Sequence, residues 1–159
     1  MTSIADLTQD LPTQTFEPGA ILLAEGGSSG RLYVLVDGAV EILKGDFQIN
    51  LVSDRGALFG DMSALLAIPH MATVRTVTRS TVRVIEGGED FLRTHQEISF
   101  HLAKMLAERL HGVTAYLVDL KAQFEDNQDH LGMVDEILES LVHQQPQAFT
   151  PGSDRDPEM

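Results

Sequence analysis

Short apolar runs separated by glycine-containing turns dominate the first half of the chain. From Phe16 to about Ile85, runs such as RLYVLV and AVEIL alternate with turns such as Asp37-Gly38 and Lys44-Gly45-Asp46. An Asp-Gly pair between two β-branched runs is a strong hairpin signal, because glycine takes positive φ without steric cost. Several short strands at regular spacing predict a sandwich, jelly roll or barrel.

The hydrophobic period changes at Glu89 and becomes helical. The sequence predicts a short helix first and a long helix that starts near Glu97. Along the long helix the apolar residues recur in alternating steps of four and three, which is the heptad seam of a coiled coil rather than a broad globular face. We therefore predict a dimer interface formed by Leu106, Leu110, Val113, Leu117, Leu120 and Phe124.

The heptad register continues through Asn127 to Leu141, and two structures are compatible with it. One is a parallel coiled-coil dimer in which Asn127 is a polar core position that fixes the register. In the other, which the polar run EDNQDH favours, the helix breaks near Asn127 and the next segment folds back or joins the partner chain. Dimerisation through residues 110–124 holds in both structures. The simpler alternative is that this stripe packs only on its own β-domain.

The two ends of the chain differ from the rest. Ile4, Leu7 and Leu11 fall at roughly helical spacing, so a short amphipathic helix that ends at Pro12 is expected. Residues 144–159 are rich in proline, glycine and acids without an apolar period, which predicts disorder. The predicted organisation is an N-terminal segment (1–15), a β-domain (16–96), a dimerising long helix or helix pair (97–143) and an acidic tail (144–159).

Composition excludes several function classes. The 159 residues carry a net charge of −13, and residues 125–159 contribute nine acids and one base, or −8 of that total. Such a charge repels the phosphate backbone, so nucleic-acid binding is not expected. No apolar stretch approaches 18 residues and the N-terminus lacks the pattern of a secretory signal, so we expect no membrane span and a cytoplasmic location. The chain has no cysteine, and its six histidines form no H-x-H pair, so neither a metal site nor an enzyme is expected.

The most informative stretch is FGDMSALLAIPHMATVRT, residues 59–76, which we call the cassette segment. A Phe-Gly-acid turn opens it, a short apolar segment follows, and Pro69 leads into a β-like run. Together with FEPG, AEGGSSGRLYVLVDGAVEI and the long helix, it resembles the cyclic-nucleotide-binding domain over roughly residues 14–124. The resemblance implies a double-stranded β-helix, or jelly-roll-like β-roll, mainly β in class and followed by a long C helix. It also implies a Crp/Fnr-like sensor without a DNA-binding domain, since residues 125–159 are too short and acidic for one.

In that family the cassette binds the cyclic phosphate through helix N–H groups and an arginine, and a glutamate takes the ribose hydroxyl. The ligand-binding residues that the resemblance implies here are Phe59, Gly60, Asp61, Met62, Ser63, His70, Met71 and Ala72. His70 stands where the arginine is expected, and Met71 stands where a small residue is usual. A neutral imidazole cannot form the guanidinium fork, and a bulky Met71 could fill part of the pocket.

Two functional hypotheses follow. In the first, the protein is a non-catalytic regulatory sensor, a homodimer that binds cAMP, cGMP or a related small anion with weak or altered affinity. In the second, the pocket is vestigial and the C-terminal coiled-coil helix is a protein-interaction module. The sequence requires no cofactor in either hypothesis and does not identify the downstream partner.

Overall fold

The computed structural model describes residues 3–123 and 128–143, and within these ranges the chain forms eight strands and five helices. The strands are β1 (Thr13–Phe16), β2 (Ile21–Leu23), β3 (Leu32–Asp37), β4 (Val40–Lys44), β5 (Phe47–Val52), β6 (Leu58–Phe59), β7 (Thr73–Thr76) and β8 (Ser80–Ile85). The helices are α1 (Ile4–Leu7), α2 (Asp61–Leu66), α3 (Gly88–Thr94), α4 (Gln96–Gln123) and α5 (Gln128–His143).

The strands form two antiparallel sheets of four, in the orders β1-β8-β3-β6 and β2-β7-β4-β5. Among the described strands, β4 and β5 are the only consecutive pair that lie side by side in one sheet. Every other connection carries the chain across to the opposite sheet, so the polypeptide winds as a double-stranded β-helix. The predicted fold class, a β-roll followed by a long C-terminal helix, is confirmed.

The predicted hairpin at Asp37-Gly38 is wrong. β3 pairs with β6 and β8, whereas β4 pairs with β5 and β7, so this turn is a corner between the sheets. Gly38 has φ +100°, and a Cβ atom there would lie 2.3 Å from Oγ of Ser80. The next carbonyl, that of Ala39, accepts a hydrogen bond from the Val77 N–H at 2.9 Å. The glycine is required for this close contact with the β7–β8 turn, and the contact redirects the chain.

The core lies between the two sheets and draws on both. It is formed by Leu22, Leu23, Tyr33, Leu35, Val40, Phe59, Val74 and Val82. Leu35, Val40 and Val82 have no exposed surface at all. The first four residues of β3 are buried, because Tyr33 and Leu35 belong to the core between the sheets and α1 contacts the strand, so its sequence reads as a continuous apolar run.

The N-terminal helix is a single turn, shorter than the sequence predicts. Ser3 caps it, and the helix ends at Leu7, well before Pro12. Thr8 explains the early end, since its hydroxyl donates to the Ile4 carbonyl at 2.7 Å. Ile4 is buried, so this turn anchors the N-terminus to the β-domain. The first strand then begins at Thr13, three residues before Phe16.

The chain divides into two compact units, residues 1–102 and 103–159. The predicted domain boundaries remain a prediction. Ile98 and Leu102, near the start of α4, are 3% and 2% exposed and belong to the first unit. No helix in the described ranges is long and apolar enough to cross a membrane.

The second unit contains two helices. Lys121, near the end of α4, forms an ion pair with Asp135 of α5. In one straight helix these residues would be about 21 Å apart, so α5 returns beside the end of α4. Phe124, Asn127 and the predicted tail at residues 144–159 lie outside the described residues.

Candidate ligand-binding site

The cassette segment folds as β6, α2 and β7, with a left-handed residue at each end of the short helix. β6 pairs with β3 in the register Tyr33 opposite Phe59. Gly60 then precedes α2 with φ +92°, and a Cβ atom there would lie 2.3 Å from the Arg31 carbonyl oxygen. Only glycine fits this contact.

Ala67 ends α2 and is the one non-glycine residue with positive φ in the described chain, at +54°. Its N–H donates to the Ser63 carbonyl, which closes the last turn of the helix. A side chain in the left-handed region costs about 1–2 kcal/mol, so the fold imposes this conformation on the cassette.

His70 is buried and is held by both its backbone and its side chain. It is 6% exposed, and its backbone is held on both sides: its N–H donates to Gly27 and its carbonyl accepts from Gly26, each at 2.8 Å. In the ring, Nδ1 lies 2.8 Å from Oγ of Ser63 on α2, and Nε2 lies 3.0 Å from Oγ of Ser29 in the β2–β3 loop. His70 therefore connects the cassette to the β2–β3 loop.

Burial lowers the pKa of the His70 imidazole below its ordinary value of 6.5. Removing the ring from water disfavours its charged form, and the two serine hydroxyls are well suited to a neutral ring. At neutral pH the position that the resemblance assigns to an arginine therefore carries no charge.

A cavity of about 380 Å³ lies beside His70. Three segments line it: the β2–β3 loop, the cassette and the start of α3. The lining residues are Ser28, Ser29, Gly30, Ser63, Ala64, Ala67, Ile68, His70, Gly87, Gly88, Glu89 and Asp90. The Gly88 N–H donates to the Gly30 carbonyl at 2.7 Å, which fixes the start of α3 against the loop. Among these described residues the polar groups are hydroxyls, one imidazole and two carboxylates, with no lysine or arginine.

The charged groups near the cavity are held largely in local ion pairs. Glu89 pairs with Arg93 on α3 at 2.9 Å, and Arg31 pairs with Glu86 at 2.8 Å. These pairs are exposed and contribute little to stability. Each arginine is nevertheless paired with a glutamate, so neither is a free cation for an anionic ligand in the cavity. Within the described residues, no group of three or more His, Asp or Glu side chains is arranged to hold a metal ion.

Two of the eight predicted site residues, Ser63 and His70, line this cavity. Phe59 is part of the core, Gly60 forms the turn, and Asp61 is buried at 5% exposure. Met62 and Met71 point outward, 39% and 52% exposed, and Ala72 is partly buried. The Met71 side chain therefore does not line the cavity, although its carbonyl accepts a hydrogen bond from Lys44 at 2.7 Å. The assignment of all eight as ligand-binding residues remains a prediction.

Arg75 lies on β7, and its side chain binds Glu41 across the sheet at 2.8 Å. The pKa of Glu41 is lowered by hydrogen bonds, first from Gln48 and then from Arg75. Arg75 is therefore an inter-strand charge of the sheet and does not line the cavity.

Sequence reasoning missed the serines of the β2–β3 loop and the start of α3. The stretch GGSSG entered the sequence analysis only as part of the family resemblance, and none of its residues was assigned to the site. Ser29 contributes a hydroxyl to His70 across 41 positions of sequence. The antiparallel pairing of β2 with β7, which the backbone bonds of His70 to Gly26 and Gly27 extend, brings the two together. A serine pair next to glycines just before a buried strand was the available signal.

The predicted seam on α4 is only partly covered. Leu106, Leu117 and Leu120 are half-buried, whereas Leu110 and Val113 are 43% and 51% exposed. An apolar strip of α4 therefore remains open to solvent on this single chain.

A wound pair of sheets, with a short helix between β6 and β7 and a polar cavity beside it, defines a β-roll domain with a candidate ligand-binding site. Residues 13–97, more than half of the chain, match the family of the cyclic nucleotide-binding domain. The chain belongs to that family, and the resemblance noted from the sequence is confirmed.

The chain is similar to a CRP-like cAMP-activated global transcriptional regulator of Mycobacterium tuberculosis, with 33% identity over 126 residues. That match covers 74% of this chain and 55% of the relative, so the chain spans about half the length of this relative. A cAMP-dependent protein kinase regulatory subunit of Yarrowia lipolytica is 29% identical over 97 residues, which cover 60% of this chain and 26% of the relative. The Thermus thermophilus catabolite activator protein shares the fold, with a TM-score of 0.62 and 22% identity over 74% of this chain and 59% of that chain.

Proposed function

We propose that this protein is a non-catalytic, cytoplasmic regulatory module that senses a cyclic nucleotide, cAMP or cGMP, with weakened affinity. The observation that carries the proposal is the cassette itself. Gly60 lies against the Arg31 carbonyl and α2 follows it, while His70 stands where the resemblance places an arginine. The names of the two relatives, one cAMP-activated and one cAMP-dependent, support cAMP as the first ligand to test.

The weakened affinity follows from the state of His70. A neutral ring that already shares both nitrogens with serine hydroxyls has no charge and no spare donor for a phosphate. A hydrogen bond to a charged group contributes about 1.5–3 kcal/mol, which corresponds to about one to two decades of affinity.

Titration calorimetry with cAMP and with cGMP tests the proposal on the full chain. Wild type should bind one of them weakly, and His70→Arg should bind that nucleotide about tenfold to a hundredfold more tightly. His111→Arg, the same substitution on an exposed site of α4, should leave the affinity unchanged. Absence of binding at millimolar nucleotide in both wild type and His70→Arg would refute the proposal.

The alternative function is a vestigial pocket on a dimeric interaction module. The exposed Leu110 and Val113 favour it, because apolar seam residues of this kind commonly pair with a second helix. If the seam joins two chains, Leu110→Glu should produce a monomer in sedimentation experiments. Ala115→Glu, on the opposite face of the same helix, should leave the mass unchanged. A Leu110→Glu chain that retained the wild-type mass would exclude the predicted interface.

A further inference from the structure

The two serines that contact His70 impose a direction on its hydrogen bonds. Ser63 donates to the Gly60 carbonyl at 3.3 Å, so its oxygen is left to accept from His70 Nδ1–H at 2.8 Å. Because Nδ1 then carries the one proton of the neutral ring, Nε2 is an acceptor, and the Ser29 hydroxyl, which itself accepts from the Arg31 N–H at 3.3 Å, donates to it at 3.0 Å. The bonds therefore run in series from Arg31 through Ser29, His70 and Ser63 to Gly60.

This chain of bonds assigns the neutral ring as the Nδ1–H tautomer, with the lone pair of Nε2 directed at Ser29. An anionic oxygen that replaced the Ser29 hydroxyl would meet that lone pair and be repelled by it. If Nε2 takes a proton from water, the same atom becomes a charged donor, and charge-assisted bonds are roughly twice as strong as neutral ones. The Ser29 hydroxyl proton is then free to turn toward the cavity as a second donor.

We propose that binding of a cyclic nucleotide at the cassette is coupled to the uptake of one proton at Nε2 of His70, so that affinity rises as the pH falls. The inference rests on the proposed function and adds the regulation of the same site. The proton must go to the protein, because a cyclic phosphodiester keeps its single negative charge throughout the range from about pH 5 to 8 in which histidine titrates.

The charged surroundings of His70 are mostly fixed by their own partners. They are Glu25 paired with Lys44, Arg31 paired with Glu86, Asp61 buried on α2, Glu89 paired with Arg93, and Asp90 at the cavity wall. The carboxylates at the wall repel an anion and favour an imidazolium. Both effects make a charged His70 more important for holding a phosphate there.

Titration calorimetry in two buffers of different ionisation enthalpy measures the proton uptake directly. With cAMP and cGMP as probes, wild type should take up close to one proton per nucleotide bound near neutral pH. As the pH is lowered, the Kd of wild type for the nucleotide should fall by about tenfold per pH unit, until the pH reaches the pKa of His70 in the free protein. His70→Arg should bind tightly with no proton uptake, and His111→Gln, an exposed control, should behave as wild type. Nitrogen-15 NMR of the imidazoles should show His70 as the Nδ1–H tautomer when free and as imidazolium when bound.

The possible outcomes separate the two proposals. Binding that is independent of pH, with no proton uptake and a neutral Nε2–H ring in the complex, would overturn the coupling and leave the proposed function intact. Binding by His70→Arg but not by wild type at any pH would also overturn the coupling and would favour the vestigial pocket. If neither protein binds either nucleotide, both proposals fail.

Discussion

Gly60→Ala is the sharpest structural test of the cassette. The added methyl group destabilises the folded state in two ways. An alanine must adopt the left-handed backbone of this position, and its Cβ atom would lie 2.3 Å from the Arg31 carbonyl oxygen. The backbone cost is about 1–2 kcal/mol, and the reduced entropy of the unfolded chain offsets about 0.4–1 kcal/mol of it. The contact involves backbone on both sides and cannot be relieved by a rotamer change, so it adds about 1–3 kcal/mol. We expect a total loss of about 2–4 kcal/mol.

Gly19→Ala separates these two costs. Gly19 has φ +88°, close to the +92° of Gly60, but a Cβ atom there meets nothing within 4 Å. Urea unfolding followed by circular dichroism should therefore give Gly19→Ala a loss of roughly 1 kcal/mol, and Gly60→Ala a clearly larger one. Equal losses in the two variants would show that the close contact with Arg31 has no energetic weight, and the argument for an obligatory glycine at the start of the cassette would be wrong.

Two further predictions concern stability. Ala67→Gly should stabilise the protein by up to about 1 kcal/mol in urea unfolding, because it removes the strain of a left-handed alanine. Ala64→Gly, inside the same helix, should destabilise the protein. A loss of stability in both variants would contradict the assignment of strain to Ala67. Burial lowers the pKa of His70 in the folded protein, so the unfolded chain binds the proton more readily. The stabilisation from a neutral His70 is therefore complete above about pH 6.5, the ordinary pKa of histidine. It declines as the pH falls toward the pKa of His70 in the folded protein. The stability difference between wild type and His70→Gln, measured by unfolding at several pH values, should shrink on acidification, and His111→Gln should show no such trend.

Local sequence signals predicted most of the secondary structure and not all of its pairing. The turns at Gly45 and Gly56 and the change to a helical period at Glu89 depend on neighbouring residues, so they can be read from the sequence. The corner at Gly38 looks locally identical to a hairpin turn. It differs only in what it packs against, namely Ser80 and the β7–β8 turn some forty residues later, and a local pattern does not contain that information.

The site divides in the same way. The Phe-Gly-acid start of the cassette and the unusual His70 could be recognised because they occupy fixed positions in a family motif. The partners of His70 could not, since Ser29 belongs to another loop and the motif does not specify which side chain Ser63 on α2 contacts. Met71 was expected to affect the pocket by its size. The direction of its side chain depends on the twist of the strand that follows, and the structure places it outside the cavity.

The replacement of arginine by histidine changes how many donors remain for a ligand. An arginine has five N–H donors, so two serine acceptors would leave three for a phosphate. The neutral imidazole has one donor and one acceptor, and Ser63 and Ser29 use both. A phosphate that reaches neutral His70 must displace the Ser63 hydroxyl from the single N–H of the ring or meet the lone pair of Nε2, and neither position offers an unused donor. Protonation adds the missing donor and the missing charge in one step, because the same nitrogen that accepted from Ser29 then donates. The proposed weak binding at neutral pH and the proposed gain on acidification therefore share one cause, the complete use of a two-nitrogen ring by two serines.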